Sequence, residues 1–590
     1  MVINKLSAQV QLALRYENLL TPNVKSLFIK DRTLQIWEII VRYVNTLEEI
    51  SSKFDMKVYD LGQGYAQVII GRRYISELSD EPNVIFISLP QFMEYIDLDL
   101  AQVCAEETSL PTGNFQISGR GLLLAVIDSG IDYTHPDFRN DDDTTRILYL
   151  WDQGIEGGPP LGFADGTLYT KEQIDEALKE PTKEEMLVKV PSMDLLGHGT
   201  ALAGIAGGNG RGSVGRRNRG MAPECDLLIV KVGKTNREYG PRDLEIMQGI
   251  RFAMEKAKEL RKPLVILLGS GYNLASHNGE DILAAYIGTV YRSWVCNIVV
   301  GMGNEGNRGS HGQGNIGEGE TKEIQFIIDG DMKEYACCIW KPISDEVELT
   351  LESPTGEKTE VLSLLTPNRA YLFDETAVLI NFSEPVIDIT QQQILIVLQG
   401  QNGQFVNSGL WRISLRGKRI LQGNYNIWGS IVREYANNTR FLEASIETTL
   451  TCPADSEGLT GVGAYNGNTI QLAAFSGRGY TADGRIRPHL VAPGVNVTVP
   501  SVRNGELYTV ASGTSIAAAF VAGAYILMQS YGIIQLGNPG LYGDALEVYL
   551  IRNAKRPIIN GPYPNNSWGF GILCLEAALN NMREVANQTN

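Results

Sequence analysis

Hydrophobic and polar positions change rhythm several times along this chain. Met56 to Gly71 (MKVYDLGQGYAQVIIG) alternates as a strand does, RRYISELSD follows as a short helix, and VIFISL from Val84 adds another strand. This is the pattern of a small α+β domain over residues 1–96. Pro90 to Gly119 is irregular and acidic and resembles a linker. From Gly121 the texture differs: GLLLAVIDSGID is an unbroken apolar run closed by a carboxylate, as a strand buried on both faces reads. CDLLIVKV (225–232), PLVILLGSG (263–271) and NIVVGMGNEG (297–306) repeat the type, and LEIMQGIRFAMEKAKEL (244–260) carries a helical period between them. Strands alternating with helices predict a doubly wound parallel α/β sheet. Its functional groups gather beyond the carboxyl ends of the strands, where Asp128, Gly269 to Gly271 and Asn304 emerge.

Between Thr321 and Gly429 the helical period disappears. EIQFIIDG, EVELTLES, KTEVLSLL, AVLINF, QILIVLQG and LWRISLRG are short alternating strands between Gly, Pro, Asn and Asp turns, which predicts an inserted all-β sandwich or jelly roll. The α/β texture returns after Ile446 and ends in GTSIAAAFVAGA (513–524), a small-residue turn running into an alanine-rich apolar segment. The domain reading is therefore 1–96, then 97–320 and 430–590 as two parts of one α/β domain, with 321–429 inserted between them.

Composition narrows the classes. With 43% hydrophobic residues and 62 glycines among 590, the chain is globular rather than disordered. A net charge of −17 leaves no basic surplus to neutralise phosphates, so neither nucleic acid nor an anionic membrane is expected as partner. The N-terminus lacks the apolar core and cleavage site of a secretory signal, which implies synthesis in the cytoplasm. No apolar run long enough for a membrane span is read. Seven scattered cysteines, with Cys337 beside Cys338 and no C-x-x-C pair, imply reduced thiols rather than a disulfide framework or a zinc site. The acidic Asp141-Asp142-Asp143 loop lacks a regular oxygen-ligand spacing and reads as a solvated turn; neither metal nor cofactor is expected.

Ser515, at the start of the alanine-rich run, reads on its own as a helix N-cap. A serine nucleophile would need a base, and the base a partner that fixes its tautomer. The chain has five histidines. Of these, His198 stands between Gly197 and Gly199 ahead of an Ala/Gly-rich helix, whose glycines suit close approach to a substrate. His135 lies in a turn before a proline, His277 and His311 in polar loops, and His489 before LVAPG. Asp128 closes an apolar strand, where a carboxylate is costly unless it is paired; an Asx turn with Ser129 and Gly130 explains it equally well. Asn304 could offer an amide to a developing oxyanion.

The order Asp128, His198, Asn304, Ser515, in the contexts VIDSGID, GHGTALAGIAGG, GMGNEG and SGTSIAAAFVAGA, resembles the subtilisin family of serine proteases. The long β insertion, WDQ after RILYL, AAAF after the serine and YPNNSWGFGIL near the end are similar to the Csp germination proteases of clostridial spores. The resemblance implies a catalytic triad of Asp128, His198 and Ser515, with Asn304 in the oxyanion hole. It implies a prodomain over residues 1–96 that chaperones folding, is cut near Tyr95, Ile96 and Asp97, and stays bound in the cleft. It also implies a protein substrate, a spore cortex-hydrolase zymogen being the candidate, and a place in the spore. Gly269-Ser270-Gly271 stands where many subtilisins carry Ser-Leu-Gly, and Gly301-Met302-Gly303 where Ala-Ala-Gly is usual. Both stretches line the family's substrate cleft, so specificity does not transfer. The alternative is a catalytically silent subtilase-fold sensor; the filled triad favours the enzyme.

Overall fold

The structure is a computed structural model, and it describes residues 4–96, 115–233, 240–385, 389–431, 438–503, 505–558 and 561–589. The chain forms two compact units: residues 1–92, 272–282 and 305–452 make one, and residues 93–271, 283–304 and 453–590 make the other.

In the second unit a nine-stranded sheet carries the core. Thr460–Asn466, Cys296–Gly301, Leu264–Leu268, Leu123–Asp128, Asp226–Lys231 and Ile147–Asp152 lie side by side in that order, all parallel. Leu490–Pro493 also runs parallel to Thr460–Asn466, and short antiparallel strands close both edges. The chain first builds outward from Leu123–Asp128 on one side. It then crosses back to add Leu264–Leu268 on the other. Adjacent loops therefore diverge beyond Asp128 and Leu268, and such a switch point opens a crevice at the carboxyl ends of the strands.

Two buried helices pack on this sheet. His198–Gly207 and Thr514–Gln529 have every residue inside, which explains their run of small side chains. A Cβ on Gly204 would lie 2.3 Å from Pro500, and one on Gly523 would lie 2.3 Å from Met221. Contrary to the reading above, one run does have the length and apolarity to cross a membrane: the helix Thr514–Gln535. Its central window is 94% buried within the fold, so its apolar surface is consumed by the core.

In the first unit, residues 4–92 form a five-stranded antiparallel sheet backed by helices. The alternating run 56–71 is two strands, Lys57–Gly62 and Tyr65–Gly71, because Gly62, Gln63 and Gly64 all take positive φ and turn the chain into a hairpin. The linker reading begins too early: Glu94–Tyr95 is a strand. Strands between His311 and Phe441 form a six-stranded and a four-stranded antiparallel sheet that share one apolar core, including Phe326, Ile339, Leu349, Val378, Ile396 and Trp411. KTEVLSLL (358–365), read above as a strand, forms only isolated bridges from Lys358 and Leu362 to the neighbouring strand. Period-two alternation sends Cys337 into that core. Its neighbour Cys338 joins Leu379 and Leu395 in a second cluster with Ile39, Val41 and Val68 of the N-terminal sheet. Among the described residues the six cysteines form no disulfide. Hydrogen bonds follow the same seam: the Tyr16 hydroxyl donates to the Asn368 carbonyl at 3.1 Å, and the Thr21 amide to Gln399 Oε1 at 3.2 Å.

Candidate active site

At the switch point Asp128 ends its strand with 1% exposure. Its Oδ1 accepts from the Ser129 amide and from His198 Nδ1, both at 2.7 Å. His198 is the first residue of its helix, entered through Gly197 at φ +78°. Its Nε2 stands 3.0 Å from Ser515 Oγ and 2.8 Å from the Ile96 carbonyl oxygen, and Ser515 Oγ reaches that same oxygen at 3.3 Å. Asp128, His198 and Ser515, 70 and 317 residues apart along the chain, thus form one continuous hydrogen-bonded row. Burial works against charge on the His198 ring, but the Asp128 carboxylate outweighs it and holds the ring's pKa above the usual histidine value.

The helix-cap reading of Ser515 does not hold. Gly513 is the N-cap, without a side-chain cap bond, and Ser515 is the second helical residue with its hydroxyl turned to His198. Nor do the glycines around His198 serve substrate approach alone. A Cβ on Gly199 would lie 2.2 Å from the Gly130 carbonyl oxygen, so that glycine lets the His198 helix close on the Asp128 turn.

The residue missed by sequence reasoning is Asp194. Its buried carboxylate accepts from the amides of Leu196, Gly197 and Thr200 and from the hydroxyls of Ser129 and Thr200. It caps the helix that begins with His198 and, through Ser129, ties it to the turn after Asp128. An acidic residue four places before the histidine was the available signal.

Asn304 Oδ1 accepts from the Thr514 amide and hydroxyl, both at 3.1 Å, which fixes the side chain at the start of the Ser515 helix. Gly301 ends its strand against that helix, and a Cβ there would stand 2.8 Å from the Ser515 nitrogen. Met302 is fully buried and donates its amide to the Val462 carbonyl, and Gly303 accepts from Gly477.

Residues 93–96 lie extended along Gly269 to Gly271, with Glu94–Tyr95 as a short strand. Ser270 and Gly271 pair antiparallel with Tyr95 and Glu94. The Ile96 amide donates to the Gly269 carbonyl at 2.9 Å, and the Met93 amide to the Pro241 carbonyl at 2.7 Å. Met93 is 1% and Ile96 5% exposed. Asp97 lies outside the described residues. His135 is tied to the Leu507 carbonyl, and His489 to Arg487 and the Gly461 amide, so neither joins the row. His277 and His311 stack on Trp428 in the first unit.

An Asp–His–Ser row beside a strand-bound peptide is a protease geometry, and residues 119–277 and 423–571 match the profile of the Subtilase family. The chain belongs to the subtilase family. Residues 4–91 match the Csp protease B prodomain. The CspB protease of Clostridium perfringens is 34% identical, with a TM-score of 0.72 over 80% of this chain and 95% of that one. The PII-type proteinase of Lactococcus lactis subsp. cremoris is 25% identical over 531 residues, 79% of this chain and 26% of its own length. AprX, a serine protease of Bacillus subtilis, is 26% identical over 231 residues, 38% of this chain and 42% of its own. The chain thus spans about a quarter of the length of the lactococcal relatives it matches. It joins a subtilase domain to a prodomain of the Csp protease B type.

Proposed function

We propose that this subtilase cuts its own chain between Ile96 and Asp97, keeps the severed end in its cleft, and acts as an endopeptidase on a protein substrate. The observation that carries this reading is the Ile96 carbonyl oxygen, which meets both His198 Nε2 and Ser515 Oγ while residues 93–96 pair with the cleft walls. Asp128 Oδ1 accepts the hydrogen bond of His198 Nδ1–H and so fixes the tautomer that leaves Nε2 unprotonated, ready to accept the proton of Ser515. Ser515 Oγ bonds to the Ile96 carbonyl carbon as that proton moves to Nε2. The carbon–nitrogen bond to Asp97 breaks as Nε2 returns the proton to the leaving nitrogen. Water then repeats the sequence and frees the Ile96 carboxylate. Negative charge on the tetrahedral oxygen falls to the Asn304 amide and the Ser515 N–H, a type of donor worth on the order of 100- to 1000-fold in turnover.

On this reading residues 1–96 are a prodomain, 97–320 and 430–590 the protease domain, and 321–429 an inserted jelly roll. The Ile96 carboxylate accepts from a protonated His198, so the cut enzyme stays latent. A place in the spore and a cortex-hydrolase zymogen as substrate are the part of this reading that rests on the sequence resemblance to the Csp germination proteases alone. Intact mass spectrometry of wild type beside Ser515→Ala tests the reading. Wild type is expected as two pieces, 1–96 and 97–590, and the variant whole. Two whole chains would instead favour a catalytically silent sensor.

A further inference from the structure

Tyr95, immediately before Ile96, is held by a device that main-chain pairing does not require. Its hydroxyl donates to the Val232 carbonyl at 2.7 Å, and Val232 is 1% exposed at the end of a core strand. Its ring lies against the His198 imidazole, centroids 5.9 Å apart and planes at 44°. Beneath the hydroxyl is Gly233 at φ +83°, where a Cβ would come within 3.0 Å of the phenol oxygen. Burial, with the Asp128 charge adding to it, pushes the phenol pKa well above its usual value, so the group stays a neutral donor.

From these contacts we infer that the cleft selects tyrosine at the position just before the residue whose carbonyl is attacked, in its own prodomain and in its protein substrates. The inference rests on the self-cleavage reading above. A phenylalanine fills the ring's place but leaves the Val232 carbonyl desolvated beneath it without a donor. A site built to bond a hydroxyl discriminates far better against its absence than an apolar pocket does against a methylene. An aliphatic residue also loses the face against His198. The bare Gly233 sets the reach: there is room for one oxygen past the ring, and none for a side chain beneath it.

The test uses the full chain and follows the fraction cut over time by intact mass. Tyr95→Phe removes one oxygen and leaves the ring packing, so it reads the hydroxyl directly. Its processing is expected to slow on the order of 10- to 100-fold at equal soluble yield and unchanged melting. Gly233→Ala is expected to slow the Tyr95 chain further than the Tyr95→Phe chain, because the new methyl meets an oxygen that only tyrosine carries. Processing of Tyr95→Phe at the wild-type rate overturns the inference. Wild type that stays whole, or a Ser515→Ala chain that is still cut, would instead overturn the self-cleavage reading on which the inference stands.

Discussion

Gly269 occupies a position where many subtilisins carry serine, and the structure makes that difference consequential. A Cβ on Gly269 would fall 1.8 Å from Asp128 Oδ2, 2.8 Å from His198 Cε1 and 2.9 Å from Leu202 Cδ1. Ordinary contact begins at 3.4 Å, so the carboxylate would have to retreat by well over an ångström. It has little freedom to do so: Oδ1 is held by the Ser129 amide and by His198, while Oδ2, which accepts no hydrogen bond, fills the space that glycine leaves open. Misplacing a catalytic group by about 1 Å costs about 100-fold, and losing the aspartate's orientation of the imidazole costs about 10,000-fold. Gly269→Ala should therefore slow self-cleavage by about 100- to 10,000-fold, a barrier increase of about 2.7 to 5.5 kcal/mol. Gly269→Ser should do the same, although serine is the residue that the family resemblance suggests. The Gly269 carbonyl still receives the Ile96 amide, so docking of residues 93–96 survives and the loss falls on the chemical step. The assay is the first-order rate of processing by intact mass, with Ser515→Ala as the blank and thermal melting as the folding control. A Gly269→Ala chain that melts normally and processes within about threefold of wild type (under 1 kcal/mol of barrier) would refute this account of the glycine.

Two further outcomes follow. Because His198 has a raised pKa in the folded protein, its protonated form stabilises the docked state. That stability is complete below the ordinary histidine value of about 6.5 and is lost as pH rises through the raised one. Attack needs the neutral ring, so the self-cleavage rate should rise with pH with a midpoint above about 6.5, and a midpoint at or below it would contradict the Asp128–His198 coupling. In the first unit, Leu379 is fully buried in the cluster shared by the six-stranded sheet and the N-terminal domain. Leu379→Ala should cost about 2–5 kcal/mol in urea unfolding of that unit, and a change under about 1 kcal/mol would mean that the shared cluster adds little.

Local pattern carried a good part of this protein. Apolar runs marked Leu123–Asp128, Leu264–Leu268 and Cys296–Gly301 as buried strands, since a parallel strand covered on both faces has no polar side to show. Alternation marked the β insertion, and the chain order of Asp128, His198, Asn304 and Ser515 pointed to the family. Periodicity failed where backbone conformation intervened: a single alternating run at 56–71 became a hairpin because three consecutive residues turn at positive φ. It also misjudged Ser515 as a cap, because a residue's place within a helix depends on where the preceding loop enters. Pairings between distant segments belong to tertiary structure alone. Asp194 looks like any surface carboxylate until the His198 helix and the Ser129 turn converge on it. Gly269 is one small residue among several until the Asp128 oxygen fills its missing side chain. The Val232 carbonyl becomes a reader of tyrosine once residues 93–96 lie across the sheet's switch point. A sequence records which groups a chain owns and which of them repeat at short range. Distances between groups tens to hundreds of residues apart are set by how strands order themselves in the sheet, and the chemistry of this site depends on those distances.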